Sequence, residues 1–168
     1  MKELKKAKLI GLGNAANIEF MFNPSEISLS RSMSIEQSEG ARGESGQNKT
    51  SFKHPNPYEL KVGNLIFDTY ESGKSVLENV QQLSKTVEFS TEEDRPPIYL
   101  FNWGAHDYIR AFVKSFGCRL TLFLPDGTPV RAIIDLTLEQ VDLPVPKPGQ
   151  GATVPSRTAR ENSKPLFT

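Results

Sequence analysis

The chain has 168 residues, 37% hydrophobic and 24% charged, with 20 basic and 20 acidic side chains and no net charge. That length fits one domain of ordinary size, with room for an arm. The balance lacks the basic excess of a nucleic-acid binder, and no run approaches the roughly 18 apolar residues that span a bilayer. A single cysteine, Cys118, excludes an internal disulfide or a multi-cysteine zinc site. Near-neutral charge removes self-repulsion, which suits a protein that packs against copies of itself.

The stretch 1–13 opens with lysines, but its apolar part (Leu9, Ile10, Leu12) is too short for a signal peptide, so synthesis in the cytoplasm is expected. Residues 18–22 and 27–35 read as strands. In the second, Ile27, Leu29, Met33 and Ile35 alternate with serines, the period of a half-buried strand. Asn23 and Pro24 mark a turn between them. From 36 to 57 the chain is polar and glycine-rich. Such a composition does not offset its own ordering entropy, so the segment reads as a polar insertion or arm that orders on assembly. Glu39, Arg42, Glu44, Lys49 and Lys53 give it charges of both signs, suited to pairing across a subunit interface.

A strand follows from 58 to 67, interrupted at Gly63 and Asn64 as by a bulge. Residues 74–87 predict the one helix, with Val76, Leu77, Val80, Leu83 and Val87 on its apolar face and Ser72 or Ser75 as cap. Residues 98–103 and 109–116 are strand-like. Cys118, Leu120, Leu122 and Leu124 then alternate with Arg119, Thr121 and Phe123 up to the turn at 125–128. Val130, Ala132, Ile134, Leu136 and Leu138 alternate after it. This is a long β-hairpin. Its second face still carries Phe123 and Ile133, which a neighbouring subunit would cover. Four prolines between 144 and 155 make 142–168 an extended C-terminal arm beyond a β domain of 1–141.

No catalytic constellation emerges. Cys118 shares a strand face with leucines, as a core cysteine would. His54 and His106 are too few for a metal site, and Asp107 has no ligand-spaced companion. Glu92, Glu93 and Asp94 read as a solvated loop. Gly11 and Gly13 are a fragment of a dinucleotide fingerprint without its third glycine or its helix. No enzyme activity, cofactor or metal is expected.

Four segments together resemble a known family. Residues 20–32 (FMFNPSEISLSRS), 65–71 (LIFDTYE), the stretch from Pro96 and Pro97 to Gly104, and 122–132 (LFLPDGTPVRA) resemble, in order, segments of the contractile injection system tube protein N-terminal domain. The resemblance covers about residues 17–142. It implies a mainly β, tail-tube-like antiparallel sandwich or barrel with one flanking helix. It also implies a hexameric ring between the inner tube and the baseplate hub or spike of a phage-tail-like particle, with baseplate wedge proteins as further neighbours. The close alternative is the inner tube subunit itself. Many relatives carry a LysM module after the proline-rich segment. None occurs in this sequence, which argues against the third alternative, a cell-wall-binding accessory protein.

Overall fold

The computed structural model describes residues 3–42, 48–89 and 94–142, the side chains of 37–42 and 48–50 excepted. Among these residues, nine strands and one α-helix follow in the order β1 (Ala7–Leu12), β2 (Ile18–Glu19), β3 (Ile27–Ser30), β4 (Met33–Arg42), β5 (Asn48–Pro55), β6 (Glu59–Asp68), α1 (Leu77–Ser84), β7 (Ile98–Trp103), β8 (His106–Phe123) and β9 (Pro129–Gln140). Seven strands form one antiparallel sheet, ordered β2-β1-β7-β8-β9-β6-β3, and β4 and β5 pair apart from it as a two-stranded ribbon. The fold is mainly β with one flanking helix, as the sequence predicts. The sheet does not close into a barrel. It curls instead, so that the backbone N–H of Asp68 at the end of β6 reaches Sδ of Met21, just past β2, at 3.1 Å.

Period-two alternation sets which face is inside. Val130, Ala132, Ile134, Leu136 and Leu138 of β9 are all buried, as are Leu60 and Val62 of β6. The expected interruption is a β-bulge between Val62 and Leu65. Asn64 takes a left-handed φ of 54° there, and its N–H donates to Asp135 Oδ1 at 2.9 Å. The extra residue restores the inward phase for Leu65 and Phe67. Phe20, Phe101 and Tyr108 form an aromatic chain inside the curl, with centroid distances of 6.2 and 5.6 Å. Burying each such large apolar side chain contributes about 1.5–3 kcal/mol.

The hairpin stands, with its turn closed by Leu124 N–H to Thr128 O at 2.9 Å and Thr128 N–H to Asp126 Oδ1 at 2.9 Å. Its register corrects one expectation. The strands read separately at 109–116 and from Cys118 onward are one strand, β8, joined through a bulge between Val113 and Ser115. A second bulge, between Leu120 and Leu122, shifts the phase again. Leu120 faces buried Ala132, whereas Leu122 pairs with Arg131 on the opposite side of the sheet. Leu122 is therefore half-buried and outside the core, not in line with Cys118 and Leu120.

Two further elements differ from expectation. β1, unforeseen, lies between β2 and β7 and buries Ala7 and Leu9. The helix is shorter than 74–87: three-residue 3-10 turns at Tyr70–Ser72 and Lys85–Val87 flank α1. Ser75 Oγ accepts the Leu77 N–H at 3.3 Å at its start, while Ser72 Oγ accepts the Lys74 N–H at 3.4 Å. Val76, Val80 and Leu83 face the core, and Leu77 and Val87 face out. Leu77 sits about 100° off that stripe, and Val87 lies past the helix in the second 3-10 turn.

Candidate assembly surfaces

The first surface is the ribbon. The sequence reading makes 36–57 a structureless insertion with its roots in flanking strands; the structure pairs β4 with β5 instead, matching Ile35 with Phe52 and Glu36 with Ser51. The strand expected at 27–35 breaks at Arg31 and Ser32, where the chain leaves the sheet. Asn56 clamps that departure. Its N–H donates to Ser32 O at 2.8 Å and its Nδ2 to Ser32 Oγ at 2.8 Å. Its Oδ1 accepts from Ser34 Oγ at 2.9 Å, and its carbonyl accepts from Arg31 Nε at 2.8 Å. The Arg31 guanidinium stacks 4.6 Å from the Tyr58 ring. So the root is fixed on both strands.

Beyond the root, Met33, Ile35 and Phe52 are 53%, 51% and 75% exposed. An isolated two-stranded ribbon with uncovered apolar side chains is marginal in water. Of the proposed polar contacts, Lys53 already pairs with Glu36 at 3.1 Å. Glu39 and Arg42 lie in β4 and Lys49 in β5. Their side chains and the whole of Glu44 are outside the described residues, as are Glu92, Glu93 and the arm from 143 onward.

The second surface is the outer face of β6, β9 and β8. Ile133 pairs with Ile66 on one side and Arg119 on the other, and Phe123 ends β8 opposite Pro129. Phe123 and Ile66 are exposed and Ile133 is half-buried. The rest of the face is held by ion pairs. Lys114 Nζ donates to Glu139 at 2.6 Å and to Glu59 at 3.5 Å, and Arg131 Nε donates to Asp68 Oδ2 at 2.8 Å. The Glu139 carboxylate raises the Lys114 ammonium above its usual range. The Tyr70 backbone N–H, and after it Arg131, lowers the Asp68 carboxyl. Ile133 lies six residues along β9 from Glu139, which pairs with the ribbon end of β6, or about 20 Å. The polar and apolar candidates thus occupy two surfaces.

A third, which the sequence reading missed, is a groove of about 430 Å³ between α1 and the β1–β2 turn, floored by Leu12, Ala15, Ile18 and Tyr99 and rimmed by Glu78 and Lys85. Gly11 shapes it. A Cβ there would lie 1.9 Å from Ala15 O, so only glycine lets the turn fold back onto β1. The two glycines that suggested a nucleotide fingerprint serve this hairpin, and β2 follows them, not a helix.

No catalytic set is assembled among the described residues. Cys118 packs half-buried against the core opposite Ile134, and burial pushes its thiol up. His106 opens β8 twelve residues away, about 40 Å along the strand. His54 stands on the ribbon opposite Ser34. No three His, Cys, Asp or Glu side chains among the described residues cluster as metal ligands. No helix among them is long and apolar enough to cross a membrane.

A curled antiparallel sheet and a projecting ribbon with uncovered apolar side chains are the main features of the described residues. The chain belongs to the contractile injection system tube protein family, whose model matches residues 3–145, from before β1 to beyond β9. A comparison with curated proteins returned no match.

Proposed function

We propose that the chain is a non-enzymatic structural subunit that forms a ring joining the inner tube to the baseplate hub or spike of a phage-tail-like particle. The observation that carries this reading is the rigidly rooted ribbon, whose exposed Met33, Ile35 and Phe52 call for a covering neighbour, on a chain matched by the family from end to end of its fold. The six-fold count and the contacts with hub, spike and wedge proteins follow from the resemblance of the sequence segments. Glu39, Arg42, Glu44, Lys49 and Lys53 would meet one neighbour through the ribbon, and Phe123 and Ile133 another through the sheet face. Synthesis and assembly would take place in the cytoplasm.

The family is described as a tube protein, and that favours a second reading, the inner tube subunit repeated in many stacked rings. Cryo-electron microscopy of the intact particle separates the two. One ring at the tube–baseplate junction supports the adaptor; many rings make the chain the tube subunit; its absence from the particle overturns both. A peptidoglycan pull-down that retains the chain would move the function to a wall-binding accessory.

A further inference from the structure

We propose that the ribbon of one copy seats Phe52 and Ile35 in the groove between α1 and the β1–β2 turn of the next copy, an inference that rests on the assembly reading above. The two features are complementary in shape and chemistry. Phe52 and Ile35 are directly opposed on the ribbon and exposed. The groove, at about 430 Å³, lies within the roughly 300–1,000 Å³ of a ligand-burying pocket and has the usual apolar floor and polar rim. Glu36 and Lys53 pair with each other on the opposite face of the ribbon, which leaves the face of Ile35 and Phe52 apolar, to match the apolar floor of the groove.

Placement within the sheet makes the contact intermolecular. Leu12, Ile98, Phe112, Glu139, Glu59 and Ser30 are successive cross-strand partners and form one row from β1 to β3. The groove sits at the Leu12 end and the ribbon leaves just past Ser30. Five interstrand steps separate them, about 24 Å measured along the sheet. Among the described residues, none of the ribbon lines the chain's own groove. A knob beside β3 and a hole beside β1, at the same level of the sheet, give a head-to-tail contact. Repetition of such a contact closes a ring when the rotation permits, or winds an open helix when it does not.

The test is disulfide trapping in the assembled full-length chain. In a Cys118→Ser background, Phe52→Cys is combined with Gln82→Cys, a groove-lining position, or with Thr137→Cys on the outer sheet face as control. Oxidation should give a ladder of covalent multimers from the Gln82 pair and none from the Thr137 pair. Rings that form without the ladder, or equal ladders from both pairs, overturn the seat and leave the assembly reading standing. A chain that stays monomeric inside and outside the particle overturns both. Should Phe52→Cys itself block assembly, Ala16→Trp decides by filling the groove from the receiving side. A tenfold or greater loss of rings with an unchanged circular dichroism spectrum supports the proposal, and unimpaired rings overturn it.

Discussion

Leu122 and Ile134 belong to the same hairpin and similar apolar runs, yet a bulge gives them opposite fates. Ile134 is fully buried, so Ile134→Asp places an uncompensated carboxylate in the core. The cost, about 4 kcal/mol or more, approaches the whole stability of a domain. Leu122 lies half-buried beside Arg131. Leu122→Asp should cost below about 1.5 kcal/mol and leave the chain folded. Urea unfolding of both variants checks the register, and an unfolded Leu122→Asp would contradict it. Asp68 gives a pH signature on the same face. Its carboxyl is held low by the Tyr70 N–H and then Arg131, so its contribution is present above the ordinary aspartate value of 3.8 and fades as pH falls through its lowered folded value. The thermal midpoint of Asp68→Asn should fall below the parent's at about pH 7 and converge with it near pH 2. A constant gap across that range would detach the effect from this carboxylate.

Among the elements, the β1–β2 hairpin and the ribbon carry the consequences. Gly11→Ala drives a methyl into the Ala15 carbonyl, and the turn must lift from β1. We expect a loss of about 1–3 kcal/mol, and the reshaped groove should weaken ring formation beyond what stability alone predicts. An Ala15→Gly change does not relieve it, because the clash is with backbone. Thermal melts and particle yields of both variants check this. For the ribbon, hydrogen exchange at 33–42 and 48–55 should be fast in the isolated chain and protected in the particle, because a two-stranded ribbon without a covering layer opens readily. Equal, fast exchange in both states would reduce the ribbon to a surface appendage.

For the molecule as a whole, the backbone bonds that tie down the end of β9 are Gln140 N–H to Tyr58 O at 2.8 Å and Val141 N–H to Arg110 O at 3.0 Å. Removing 143–168 leaves both in place. The midpoint should move by less than about 2 °C, while particle assembly weakens if the arm docks along a neighbouring baseplate protein. A large fall in the midpoint would make the arm part of the core. The ion pairs of the outer face are mostly solvent-exposed and screened by water and salt, so the curled sheet is held chiefly by its apolar interior.

By itself the sequence determined the alternation of β6 and β9, the bulge at Gly63 and Asn64, the closing hairpin and the family. These depend on local period and on turn residues that act within a few positions. It also kept Cys118 from being read as a nucleophile, since a thiol in phase with apolar neighbours is a packed one. Only the tertiary structure decided the rest. β1 is a short run of mixed residues, and its strand character comes from pairing with β7, about ninety residues away. The phase of Leu122 depends on a bulge that alternation alone does not reveal. The ribbon's polar composition hid Phe52, whose alternation with Ser51 and Lys53 becomes an exposed apolar face only when β4 lies opposite. The groove is made by α1 and the β1–β2 turn, distant in sequence and joined by the curl of the sheet. A surface assembled from separated segments has no local signal to read.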